Sequence, residues 1–202
     1  PRPCILDHRL IFANMTIHPT PIADLILLEP RVFGDDRGYF FESLRRDLLP
    51  AGMPDFVQHN ESMSKRGVLR GLHFQAPPHE QGKLVSVVRG SVYDVAIDIR
   101  LGSPTYGQHF GLRLDTVTKH RLYIPPGFAH GFLTLEDDTV FQYLCSDYYA
   151  PETEGCIDFS DADLGIDWAG IWNSTEAFAL SIKDQAGQAF ASFKSPFVYA
   201  RG

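Results

Sequence analysis

What most restricts the fold of this chain is the rhythm of its breakers. From Ile22 onward, short apolar or alternating runs rich in Val, Ile, Tyr and Phe are interrupted by turn residues about every 8–12 positions, a spacing that strands produce and helices do not. The clearest runs are Tyr39–Ser43, Val68–Phe74, Leu84–Val88, Ser91–Ile99, His109–Leu114, Arg121–Ile124, Gly131–Leu135 and Val140–Ser146. Gly34-Asp35-Asp36, Arg89-Gly90, Gly102-Ser103-Pro104 and Pro125-Pro126-Gly127 lie between them, residue types whose φ preferences reverse a chain. Helical character is confined to Leu44–Leu49 and to stretches around Leu164–Trp172 and Glu176–Ile182. Without strand–helix alternation, a parallel doubly wound sheet is disfavoured and an all-β sandwich or barrel with a few short helices is expected.

Composition narrows the function classes. With 202 residues and 44% apolar content, one domain with a real core is expected, and 12% aromatic residues argue against disorder. A net charge of −7 disfavours nucleic acid or an acidic membrane as partner, so an anionic ligand must meet local cations. Cys4, Cys145 and Cys156 form neither a paired framework nor a C-x-x-C, which fits a reducing cytosol and argues against a thiolate zinc site. The stretch Ile22–Leu28, broken by Asp24, is too short to span a bilayer, and Pro1–Thr16 lacks a secretory apolar segment, so the expectation is a soluble cytoplasmic protein. No G-x-G-x-x-G or G-x-x-x-x-G-K-[ST] offers a nucleotide loop.

Eight histidines are many for this length, and two sit in informative runs: Arg70-Gly71-Leu72-His73-Phe74-Gln75 and Pro125-Pro126-Gly127-Phe128-Ala129-His130-Gly131-Phe132. Alternation puts His73 on the face shared by Gly71 and Gln75, which in a small β-barrel is the interior. An imidazole there is either a buried histidine bonded to a carbonyl or a base. Arg37, Arg70 and Lys83 are cations in runs otherwise apolar or glycine-rich; they form structural ion pairs or hold a ligand phosphate. Tyr143 is either core with its hydroxyl paired or a proton donor facing an imidazole across a cavity, as an epimerase requires. Of the Tyr148-Tyr149 pair, alternation sends the rings to opposite faces, and Tyr148 is taken as the one meeting the ligand. A rival constellation is a metal site of His73, Gln75, Glu80 and His130, but its His-x-Gln replaces His-x-His and a nearby Lys83 would repel a cation. The metal-free reading is preferred.

Together these residues resemble the dTDP-4-dehydrorhamnose 3,5-epimerase family, a cupin-type jelly roll of deoxysugar biosynthesis. The resemblance rests on Phe33–Ser43, Val68–Gln75, Gln81–Val85, Asp94–Arg100, Ile124–Phe132 and Leu180–Asp184, and it spans roughly residues 20–184. It implies His73 as general base oriented and made more basic by Asp184, Tyr143 as the acid on the opposite face, and Lys83 polarising the C4 carbonyl. It also implies that Arg70, His130, Gln58, Asn60, Glu154 and Lys183 line a site for a dTDP-linked 4-keto-6-deoxy sugar. Arg37 and Glu42 would be supplied across a homodimer interface. No redox or metal cofactor is implied. Where the family often has an acidic residue between Gln58 and Asn60, this chain has His59. The residue types leave open whether C3 alone or both C3 and C5 invert; a metal-dependent cupin and a non-catalytic sugar-binding jelly roll are the other classes. Residues 1–19 read as a leader, with Met15-Thr16-Ile17 a natural start, 20–184 as the jelly-roll domain and 185–202 as a tail with no assigned role.

Overall fold

The computed structural model describes residues 15–200. Among them the strands are β1 (Met15–Pro19), β2 (Ile26–Pro30), β3 (Phe33–Asp35), β4 (Gly38–Phe40), β5 (Gln58–Ser64), β6 (Leu69–Gln75), β7 (Lys83–Arg89), β8 (Ser91–Asp98), β9 (His109–Asp115), β10 (Arg121–Ile124), β11 (Phe128–Thr134), β12 (Thr139–Cys145) and β13 (Glu154–Cys156). Two helices follow, α1 (Trp168–Trp172) and α2 (Ile182–Gln185). A six-stranded sheet runs β1-β2-β10-β7-β12-β5, a five-stranded sheet runs β13-β6-β11-β8-β9, and β3 with β4 makes a separate hairpin. The two large sheets pair antiparallel throughout and pack face to face as a jelly roll.

Alternation decides what each sheet contributes. Val85, Val87, Leu122, Ile124 and Phe141 from the larger sheet meet Val92, Ala96, Leu114, Phe128 and Phe132 from the smaller one. Each such side chain removed from water contributes about 1.5–3 kcal/mol before conformational entropy is counted. The outer face of the smaller sheet is covered by Leu164, Trp168, Trp172 and Phe197 packing on Leu69, Leu72, Val95, Ile97 and Leu133. Strand β11, central in that sheet, is therefore buried along its whole length. No helix among the described residues is long and apolar enough to cross a membrane.

Several expectations are corrected. Met15–Pro19, assigned to the leader, is an edge strand paired with β2; residues 1–14, including Cys4, lie outside the described residues. The strand expected at Tyr39–Ser43 is the shorter β4. Leu44–Leu49 holds only a single 3-10 turn, Arg46–Leu48, since one turn there has no apolar stripe to bury. Helix α2 begins where the Glu176–Ile182 stretch ends, because Ser181 caps it: its hydroxyl accepts the Asp184 N–H and the Asp184 carboxylate accepts the Ser181 N–H. The tail is part of the fold, with Phe197 7% exposed and Leu101 bridged to Val198. Strand β5, Gln-His-Asn-Glu-Ser-Met-Ser, escapes any hydrophobic pattern because its inward residues face a polar cavity rather than the core.

Candidate active site

At one end of the sandwich the sheets separate around a cavity of about 580 Å³. Cross-strand register delivers its walls. On the larger sheet, Lys83 stands opposite Cys145, and Cys145 opposite Gln58, while Val85, Tyr143 and Asn60 form the adjacent inward row. On the smaller sheet His73 is paired with His130. Lys83, Tyr143, His73 and His130 thereby line one cavity from two sheets, together with Gln58, Asn60, Arg70, Glu154 and Lys183.

Strict alternation would turn Arg70 away from His73, three residues on. The ladder between β6 and β11 slips between His130 and Phe132, so Arg70 and His73 both reach the cavity. Glycine makes the slip possible: Gly71 has φ +138°, and a Cβ there would lie 2.5 Å from the Gly131 Cα.

The imidazole of His73 is held from behind. Its Nε2 stands 2.8 Å from the Asp184 Oδ1, at ion-pair distance but off the line of a straight hydrogen bond. Asp184, 3% exposed, also accepts the Gly71 N–H at 3.0 Å and the Ser181 hydroxyl at 2.6 Å. These donors, with His73, hold its carboxyl below the usual range despite burial. Asp184 does raise His73, as the resemblance implies, but it does not set the net shift. Burial and then the Lys83 charge outweigh Asp184, and His73 is pushed down to about 4, a neutral imidazole at pH 7. Burial likewise lowers Lys83 and raises Tyr143, whose bond to Asn60 opposes the rise.

The cations separate into two kinds. Arg37 is a surface ion pair, 90% exposed, with Nη2 and Nε on Asp35. Among the described residues neither Arg70, whose guanidinium meets only the Ser64 hydroxyl, nor Lys83 has a carboxylate partner within ion-pair reach. Lys183 is bound to Glu154, which also accepts from the Tyr149 hydroxyl at 2.7 Å. The uncompensated charge thus points into the cavity, as an anion site needs.

Tyr148 is not among the lining residues and is 65% exposed; Tyr149 lines the cavity instead, held there by Glu154. Arg37 and Glu42 do not line it either, since the β3–β4 hairpin and the segment after it stand apart. Glu42 faces Arg45 at 3.5 Å. Of the rival metal donors, Gln75 has its amide spent on the His79 and Tyr148 carbonyls and the Ala150 N–H, and Glu80 lies outside the lining. Among the described residues no three His, Cys, Asp or Glu side chains converge as metal ligands. One residue escaped the sequence reading: Asp94, fully buried, bonded through Oδ2 to His130 Nε2 at 2.9 Å and within electrostatic reach of Lys83. A carboxylate on an inward strand position, with apolar neighbours on either side, was the available signal.

A neutral buried base, a cation and a phenol around one cavity can remove a proton α to a carbonyl, steady the resulting enolate and return a proton from the other side. Known proteins resemble this chain over most of its length. A model of the family described as dTDP-4-dehydrorhamnose 3,5-epimerase matches residues 19–192. The curated dTDP-4-dehydrorhamnose 3,5-epimerase of Pseudomonas aeruginosa is 51% identical over 173 residues, 84% of this chain and 93% of that protein. A dTDP-6-deoxy-D-glucose-3,5-epimerase from Legionella pneumophila, solved with dTDP-4-keto-L-rhamnose, superposes with TM-score 0.85 at 44% identity over 93% of this chain and all of that one. A 3'-monoepimerase from Streptomyces bikiniensis, solved with dTDP-quinovose, gives TM-score 0.78 at 35% identity over 87% of this chain and 88% of that one.

Proposed function

The chain belongs to the dTDP-4-dehydrorhamnose 3,5-epimerase family, and from that premise we propose that it converts dTDP-4-dehydro-6-deoxyglucose to dTDP-4-dehydro-L-rhamnose by inverting C3 and C5. The observation that carries the residue roles is the meeting of His73 and Tyr143 from opposite sheets in one cavity with Lys83.

The His73 nitrogen not turned to Asp184 takes the C3 proton. The C–H electron pair moves into the ring and onto the C4 oxygen as an enolate. The Lys83 ammonium stabilises that oxygen most when it is charged, so its effect falls mainly on the transition state. Tyr143 donates its phenolic proton to C3 from the other face, and exchange with water resets both groups before the same cycle runs at C5. Each carbon loses one proton and gains one, so the reaction needs no oxidant or reductant. Asp184 fixes the ring of His73 and favours the imidazolium formed on proton transfer. Arg70 and Lys183 meet the diphosphate. His130, held by Asp94, with Gln58, Asn60 and Glu154 positions the sugar and base.

A second copy of the chain completes the site in this reading. The β3–β4 hairpin carries Arg37 outward beside Tyr39 and Phe40, which are 62% and 55% exposed, and delivers Arg37 and Glu42 to the partner's cavity.

Incubation with dTDP-4-keto-6-deoxyglucose in deuterated water tests substrate and chemistry together. NMR is expected to show deuterium at both C3 and C5 of a product with the L-rhamno configuration. Exchange and inversion at C3 alone would reassign the chain as a single-site epimerase, and exchange at neither carbon would end the epimerase reading.

A further inference from the structure

The outer face of the six-stranded sheet carries an arginine that the chemistry above does not use. Register places Arg121 (β10) opposite Ser86 (β7), Ser86 opposite Gln142 (β12) and Gln142 opposite Glu61 (β5). Arg121, Ser86 and Gln142 do not line the catalytic cavity, which Glu61 at the end of the row borders, while in the neighbouring row Tyr143 and Asn60 line that cavity and Leu122 and Val85 enter the core. A hollow of about 220 Å³ opens over the row, lined by Ser43, His59, Ser86, Arg121 and Gln142 among others.

The hollow contains no carboxylate among its lining residues. Arg121 Nε is buried with no hydrogen-bond acceptor, and no acid among the described residues pairs with this guanidinium. Burial, uncompensated, pulls Arg121 down to about 10. Glu61, at the far end of the row, accepts from Gln142 Nε2 at 2.6 Å and forms no ion pair with Arg121. The Ser43, His59 and Ser86 side chains make no hydrogen bond among the described residues, so donors stand unspent around the cation. A buried guanidinium without a counter-charge is costly to fold around, and a planar oxyanion satisfies it through two parallel hydrogen bonds.

We propose that this hollow is a second anion site, for a carboxylate or phosphate-type oxyanion, clasped by Arg121 with Ser86, Ser43 and His59. The oxyanion comes either from a free molecule or from an acidic side chain of a second copy. The test uses the full chain with saturating dTDP, so that the catalytic cavity is already filled. Thermal unfolding is followed against sodium phosphate and sodium acetate at fixed ionic strength, and self-association by sedimentation, for the parent and Arg121→Gln. A free ligand is expected to raise the parent's midpoint saturably, by several degrees, and to leave Arg121→Gln flat. A carboxylate from a second copy is expected to leave both flat and to weaken self-association of Arg121→Gln at least tenfold. Arg121→Gln should fold, since it removes an unpaired charge while keeping the hollow occupied; if it does not, Arg121→Lys, which loses the planar fork, is expected to show the same losses in part. A variant that matches the parent in both measurements, or a parent response carried equally by Arg121→Gln, overturns the site.

Discussion

At the scale of single residues, the decisive feature is that His73 is kept neutral. Its environment lowers it to about 4 from an ordinary 6.5, with burial the largest cause, Lys83 next and Asp184 opposing. Between those values the unfolded chain binds a proton that the folded chain refuses, so stability falls as pH falls from about 6.5 toward about 4. The loss attributable to this group is roughly 3 kcal/mol across the window, and it contributes no pH dependence above it. Urea unfolding at pH 7 and pH 4.5 is expected to show the parent losing more stability than His73→Asn; equal losses would mean that His73 is not desolvated. The two histidine motifs and the lone strand cations are legible as chemistry in the sequence alone. What spacing could not give is the pairing of His73 with Asp184, 111 positions later in the chain, which exists only because α2 docks beneath β6. Only the family resemblance anticipated it. The buried Asp94 was missed because one carboxylate in an apolar strand carries no mark of which partner it will meet.

At the scale of elements, the site depends on one irregularity. The slip between β6 and β11 lets Arg70 and His73 share a face, and Gly71 and Gly131 allow the strands to touch there. Gly71→Ala would force a Cβ 2.5 Å from the Gly131 Cα at a φ of +138°, so we expect a loss of several kcal/mol together with loss of dTDP binding. Calorimetric unfolding and dTDP titration check this; a variant of parental stability that still binds dTDP would show the slip to be dispensable. Sequence pattern located β4 and β6 to β12 and missed β1, β2, β3, β5 and β13; for β5 and β13 the inward side faces the polar cavity or the sheet edge. A hydrophobic period records burial, and a strand that buries polar atoms around a ligand site has none to record.

At the scale of the whole molecule, the tail behaves as part of the domain. Arg100 lies between the rings of Phe128 and Tyr199, at 4.6 and 4.8 Å, while its guanidinium bonds Asp98 and Asp24. Asp98, fully buried, also accepts from the Ser103 and Thr105 hydroxyls at 2.6 and 2.7 Å, so its charge is satisfied. Phe197 fills the space between this clamp and the smaller sheet. Phe197→Ala is expected to cost about 3–5 kcal/mol and to lower the thermal midpoint by roughly 10 °C, with little effect on dTDP affinity. An unchanged midpoint would show that the tail merely lies on the surface. The all-β sandwich was readable from the breaker rhythm, whereas the tail was not, because it packs through isolated side chains rather than a periodic face.

The roles of the two facing rings are tested most directly by Tyr143→Phe incubated with dTDP-4-keto-6-deoxyglucose in deuterated water and followed by NMR. If His73 removes the proton from one face and Tyr143 supplies it from the other, deuterium still enters at C3 with the original configuration retained, while the inverted product falls by about 10²–10⁴-fold. Inversion by Tyr143→Phe at the parental rate would contradict the account.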